Sequence, residues 1–193
     1  MEVFNKVVLF NLNQTDRENN LITIEPTTED YLLNVNCIDV PCEYISGKQI
    51  KPCFDVEIYI ENGFVYEEPI QIAKINKDIQ KVLKLDTSKK NIHILKREQR
   101  KVKHNDKKCT KYSYHFTTDG IRINHKTLKH LIEIEGFKDD SPFDLKIYKK
   151  NSGLFPIYSN KKIDVRTKEV IEVPELLPLD ESDDVHHILK KIS

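Results

Sequence analysis

Three acidic side chains and one polar pair are the residues whose types and spacing could do chemistry in this sequence. Asp55 and Glu57 are two residues apart in the run Phe54-Asp-Val-Glu-Ile-Tyr-Ile60, where Phe54, Val56, Ile58 and Ile60 alternate with polar residues. That alternation is the period of a half-buried strand. On a strand, residues i and i+2 point to the same side, so the two carboxylates share a face with α-carbons roughly 6.5–7 Å apart. Two ionised carboxylates at that spacing repel, and a divalent cation is the usual remedy. Mg²⁺ or Mn²⁺ prefers oxygen ligands, and a third carboxylate would complete the set for two ions about 3.5–4 Å apart, as in phosphoryl or nucleotidyl transfer. Asp144 is expected to be that third ligand, on the polar side of a strand Phe143–Tyr148 with Phe143, Leu145 and Ile147 inward and Asp144, Lys146 and Tyr148 outward. Taken singly, an Asp-x-Glu is more often a solvated edge than a site. Ser113 and His115 form another i, i+2 pair, and a hydroxyl with an imidazole can bind phosphate oxygens.

The elements that must position these groups follow from periodicity. After the first strand, Glu61-Asn-Gly63 predicts a turn. Ile72, Ile75, Ile79, Val82 and Leu83 fall at helical spacing within Pro69–Leu85, with Pro69 in the first turn, where its missing N–H costs nothing. Asn91–Leu95 predicts a strand. Lys96 to Lys111, without a clear period, predicts an exposed loop. Lys111–Thr117 alternates again, with Tyr112, Tyr114 and Phe116 on one side and Ser113, His115 and Thr117 on the other; core packing is the better reading of the two tyrosines. Asn124 as N-cap and Gly136 as stop delimit a short helix. Residues 1–50 predict a mixed, β-rich N-terminal region of the same domain, with strand-like runs at Val7–Phe10, Leu21–Ile24 and Tyr31–Val35. Residues 51–193 form the main core, ending in a strand near Val170–Val173, the segment Pro174–Pro178, and a helix at Asp183–Ile192. His186 and His187 in that helix point apart and are read as structural.

Composition bounds the reading. The 193 residues carry 31 Lys+Arg and 31 Asp+Glu, so net charge is zero and only its distribution informs. Lys96, Arg97, Arg100, Lys101, Lys103, Lys107, Lys108 and Lys111 stand against only Glu98 and Asp106 in the same stretch. Such a segment can hold template phosphates, or simply be a solvated surface. From Glu169 to Asp184 the chain is acidic, with no Lys or Arg. Cys37, Cys42, Cys53 and Cys109 lack the paired spacings of a zinc site, so free thiols are expected. No stretch approaches the ~20 apolar residues of a membrane span, and MEVFNKVVLF does not read as a leader. A soluble, intracellular protein without a membrane partner is expected.

Asp55-Val-Glu57, Ser113-Tyr-His115 and Phe143-Asp144-Leu-Lys-Ile-Tyr-Lys-Lys-Asn151 resemble, in order and strand context, the three motifs of the archaeo-eukaryotic primase superfamily. The flavour is that of the N-terminal primase domain of poxvirus and other large-DNA-virus primase-helicases, with eukaryotic primase-polymerases as more distant kin. The likeness runs from about residue 50 onward. It implies an α+β primase core with a sheet like that of an RNA-recognition motif and flanking helices, and a function as a DNA primase or primase-polymerase that makes primers on single-stranded DNA from nucleoside triphosphates. It implies that Asp55, Glu57 and Asp144 hold Mg²⁺ or Mn²⁺, that Ser113 and His115 contact the triphosphate, and that Lys161 or Lys162 in Tyr158-Ser-Asn-Lys-Lys162 ends the Ser-x-Lys motif. A viral origin would put the protein in host cytoplasm or at a replication site. One departure stands out: where many relatives carry an arginine before that lysine, this chain has Leu154-Phe155-Pro156-Ile157. Arg122, Lys149 or Lys150 are the candidates to replace it. No Gly-x-x-x-x-Gly-Lys-Ser/Thr loop is present, so unwinding would fall to a helicase in trans or in a longer parent chain. Two rival readings are a two-metal nuclease and a worn, nucleic-acid-binding relative with little synthesis.

Overall fold

The computed structural model describes residues 7–10, 21–24, 40–44, 52–84, 92–118, 120–135, 142–148, 153–154, 161–163, 170–172, 174 and 176–180. The fold is α+β. In chain order its elements are strands β1 (Val7–Phe10), β2 (Leu21–Ile24), β3 (Val40–Tyr44) and β4 (Cys53–Glu61), helix α1 (Glu68–Leu83), strands β5 (Ile92–His104) and β6 (Lys107–Thr118), and helix α2 (His125–Ile134). A 3-10 turn at Leu145–Tyr148 follows, then strands β7 (Gly153–Leu154), β8 (Lys161–Ile163), β9 (Val170–Glu172) and β10 (Leu176–Pro178). The anticipated runs at 31–35 and 183–192, the histidines at 186 and 187, and Lys149, Lys150, Pro156 and Ser159 lie outside the described residues.

The main sheet is antiparallel and ordered β10-β5-β6-β4. Its inner side carries Phe54, Val56, Tyr114 and Phe116, all fully buried, because alternation in β4 and β6 puts these large apolar residues on one side. Both helices lie against it. Ile75, Ile79 and Val82 of α1 and Leu128 and Ile132 of α2 complete one hydrophobic cluster. Burying five such side chains contributes about 1.5–3 kcal/mol each before entropy is counted. Pro69 sits in the first turn of α1, and Lys84 ends that helix in the left-handed region (φ 52°). The side chain of Asn124 accepts a hydrogen bond from Lys126 N at 2.8 Å, so the expected cap of α2 is formed. Tyr66 stacks on Tyr112 (centroids 3.8 Å apart), and the Tyr114 hydroxyl donates to Glu68 at 2.5 Å, while Lys96 Nζ donates to the same carboxylate at 2.9 Å. This network fastens the start of α1 to the sheet.

Two expectations are corrected. Residues 96–111 are not a loop: they are the greater part of a long hairpin, with β5 and β6 paired from Ile92↔Thr118 to His104↔Lys107. Asn105 (φ 48°) and Asp106 (φ 63°) form its two-residue turn, both left-handed, which matches the right-handed twist of the flanking strands. The period fails in sequence because charged residues occupy both faces and the register shifts between Arg97 and Arg100. Nor is Phe143–Tyr148 a third alternating strand. One bridge joins Phe143 to Val56, and the chain then tightens into the 3-10 turn. Tyr148 therefore points inward, not outward, and its hydroxyl donates to the Cys53 carbonyl at 2.5 Å.

β10, within the proline-bearing segment, pairs with the outer edge of β5, Leu176↔Arg97 to Pro178↔Leu95. The strands from the first fifty residues form a separate ladder, β2-β1-β3-β7, in which β7 comes from beyond α2; β8 and β9 pair as a two-stranded ribbon. No helix among the described residues is long and apolar enough to cross a membrane.

Candidate active site

The outer side of the main sheet is a grid of polar residues. Strand registers set three rows: Asp55 beside His115 beside Leu95, Glu57 beside Ser113 beside Arg97, and Tyr59 beside Lys111 beside Arg100. Directly opposed residues of antiparallel strands have β-carbons about 4.5–5.5 Å apart, so each row is a line of near contacts. Asp144 joins the first row from outside. Asp144 N donates to the Asp55 carbonyl at 2.8 Å, and Glu57 N donates to the Pro142 carbonyl at 2.9 Å, a short ladder on either side of the Phe143–Val56 bridge. Phe143 is thereby held in the core against Phe54 (centroids 5.4 Å apart), and Asp144 falls on the face of Asp55. The sequence-predicted acids and the Ser113/His115 pair are thus gathered on one face, even though Asp144 is not on a regular strand.

The two acids of β4 have opposite electrostatic fates. Burial, reinforced by the charges of Glu57 and Asp144, pushes the Asp55 carboxyl up to about 8, against the opposing pull of Lys111 and Arg97. Burial would also raise Glu57, but the hydrogen bond and charge of Lys111 and the hydrogen bond from Tyr59 outweigh it, and its carboxyl titrates below its ordinary value. Lys111 is itself buried and forms an ion pair with Glu57; Tyr59 donates to Glu57 Oε2 at 2.8 Å, with the Lys111 ammonium 5.3 Å from its ring centre. His115 Nε2 lies 3.7 Å from Asp55 Oδ1.

The oxygen donors suit a hard cation in kind. Among the described residues, however, no three His, Cys, Asp or Glu side chains converge as a ready ligand set, and Glu57 is engaged by Lys111 and Tyr59. A cation held by Asp55, Asp144 and Glu57 would have to share Glu57 with that lysine.

The eight basic residues expected to form a nucleic-acid surface are divided by the hairpin. Arg97 is buried and donates to the Pro174 carbonyl, and Lys96 pairs with Glu68. Lys101 donates to Thr110 Oγ1 at 2.7 Å, Lys103 pairs with Asp106, and Lys107 with Glu61. With Lys111 on Glu57, Arg100 and Lys108 are the two whose side chains form no hydrogen bond or ion pair to a described residue. Lys161 and Lys162 belong to β8, whose backbone pairs with β9 and with no strand of the main sheet among the described residues. Arg122 is exposed. Cys53 and Cys109 are buried and take part in no disulfide.

Sequence reasoning missed Tyr59, Lys111 as the partner of Glu57, and the separation of Arg97 and Arg100 from the other basic residues. A signal existed for the first two, since Tyr59 follows Glu57 by two residues and Lys111 precedes Ser113 by two, each in step with its strand. Compared with protein-family models and with curated protein sequences, the chain matches none of them.

Proposed function

We propose that the chain is a metal-dependent nucleotidyltransferase of the primase or primase-polymerase kind, working on a single-stranded DNA template. One observation carries the reading: Asp55, Glu57, Asp144, Ser113 and His115, drawn from three separate segments, share one face of one sheet. The β-α-β-β-α order of β4, α1, β5, β6 and α2 supports kinship with an RNA-recognition-motif-like core, with the Phe143 bridge on the β4 edge where the fourth strand of such a sheet would begin.

In the proposed reaction a 3′-hydroxyl attacks the α-phosphate of a nucleoside triphosphate, a phosphodiester forms, and pyrophosphate leaves. Mg²⁺ or Mn²⁺ held by Asp55, Glu57 and Asp144 would supply a lowered hydroxyl pKa and neutralise charge on the leaving group. Ser113 and His115 would donate hydrogen bonds to phosphate oxygens, where charge develops. Lys111 would hold Glu57 in place until the site is loaded. Lys161 or Lys162 would reach the triphosphate from the Ser-x-Lys segment, and a helicase in trans or in a longer parent chain would open the duplex.

The ion pair of Glu57 with Lys111 favours a second reading, a nucleic-acid-binding relative with little synthesis. Incubation with single-stranded template, labelled nucleotides and Mg²⁺ or Mn²⁺ separates the readings. New oligonucleotide, lost by at least about 100-fold in Asp55→Ala and in Asp144→Ala, is the expected result. Full synthesis by either variant sinks the site assignment, shortening of the template points to a nuclease, and a mobility shift alone points to the binder.

A further inference from the structure

β5 carries one residue more than β6 across the stretch that separates Arg97 from Arg100: Arg97 faces Ser113 and Arg100 faces Lys111, so three steps on β5 match two on β6. Such a bulge re-aims every side chain after it. In an unbroken strand Arg97 and Gln99 would share the carboxylate side and Arg100 would point to the helix side. With the bulge, Arg100 joins Arg97 on the side of Glu57 and Ser113, directly across from Lys111. Three cations then crowd one corner of the grid, and like charges directly opposite each other destabilise a sheet. Glu57 offsets one of them through Lys111. Arg97 is tied to the Pro174 carbonyl, so its place is fixed by β10. Arg100 is half-buried on the same side, and its charge is felt at Glu57, Tyr59 and Arg97. The face is polarised from acids on β4 to arginines on β5, with Ser113 and Lys111 between.

We propose that the bulge builds an anion site in which Arg100, beside Arg97, holds the polyphosphate of a nucleoside triphosphate on the β5 side of the carboxylate face. The assignment rests on the nucleotidyltransferase reading for the identity of the anion. The guanidinium fork suits two phosphate oxygens at once. Phosphate oxygens could also come from a nucleic-acid backbone, and the two sources are separable. Binding of inorganic tripolyphosphate and of a single-stranded oligonucleotide is measured by calorimetry with EDTA present, on the wild type, Arg100→Gln, Arg100→Lys, and Lys77→Gln on the exposed side of α1 as a charge-matched control. Arg100→Gln is expected to weaken tripolyphosphate binding about tenfold or more, Arg100→Lys to restore part of it, and Lys77→Gln to leave it unchanged. Oligonucleotide binding is expected to shift by less than about threefold in Arg100→Gln, the share of one charge among many phosphate contacts. Equal tripolyphosphate affinity in wild type and Arg100→Gln overturns the proposal, as does a loss confined to the oligonucleotide. Because no metal or synthesis enters the measurement, tripolyphosphate binding that depends on Arg100 in a protein that makes no primer would overturn the nucleotidyltransferase reading and leave the anion site standing.

Discussion

At the scale of single residues, Asp55 is held far from its ordinary protonation behaviour. Its carboxyl is raised to about 8 by burial and by Glu57 and Asp144, whereas in the unfolded chain it titrates near 3.8. Between those values the folded state holds a proton that the unfolded state releases, so the fold loses stability as pH rises through the window. In EDTA, Asp55→Asn is therefore expected to remove a pH dependence approaching about 1.4 kcal/mol per pH unit between pH 5 and 8. Urea unfolding at three pH values would measure it, and parallel curves for wild type and variant would refute the burial of an acidic proton there. Glu57 behaves in the opposite sense: its lowered value means that its pairing with Lys111 is retained at neutral pH and lost as the solution is acidified. The acids themselves were legible in sequence, because alternation alone sets their face. Their unequal environments were not, since these depend on which residue of β6 stands opposite.

At the scale of elements, the hairpin turn is the most exacting local requirement. Asn105 and Asp106 both adopt positive φ, which asparagine and aspartate tolerate and β-branched residues do not. Asn105→Val is expected to cost about 1–2 kcal/mol and Asn105→Gly to be neutral or stabilising, read as shifts in thermal midpoint. An Asn105→Val protein as stable as wild type would mean that the turn is not of this type. The signal for this hairpin was present in His104-Asn-Asp-Lys107, yet charge concealed it. Lys101 and Lys103 lie on one side and Arg100 and His104 on the other, so no apolar alternation marks the strands, and the bulge breaks what period there is. β4, α1 and α2 were legible because each has one strictly apolar side and, for α2, a capping asparagine. The segment after Phe143 misled because its alternation is real in sequence, but only one residue pairs before Tyr148 turns inward.

For the whole molecule, the order β10-β5-β6-β4 makes β6 the strand flanked by long partners along its length, while β10 covers only Leu95–Arg97 of β5. Amides of Lys111–Phe116 are expected to exchange slowest, near the global unfolding limit, and those of β10 much sooner. Hydrogen exchange read by mass spectrometry tests this, and protection of β10 equal to that of β6 would show that the edge strand unfolds only with the sheet. The α+β class was anticipated from the family resemblance, and the described strands and helices agree with α+β in general. The placement of the proline-bearing segment on the outer edge of β5 was not legible, because a three-residue strand formed by Leu176, Leu177 and Pro178 has no period of its own.

The hydrogen bond from Tyr59 to Glu57 has an optical consequence. The sequence contains no tryptophan and 8 tyrosines, so ultraviolet emission is dominated by phenol rings. A phenol bonded to a carboxylate loses its proton readily once excited and emits weakly, and Tyr59 is bonded in this way beside the acids of β4. Any ligand that draws Glu57 away from Tyr59 would brighten the protein, giving the candidate site a built-in fluorescent reporter without a label.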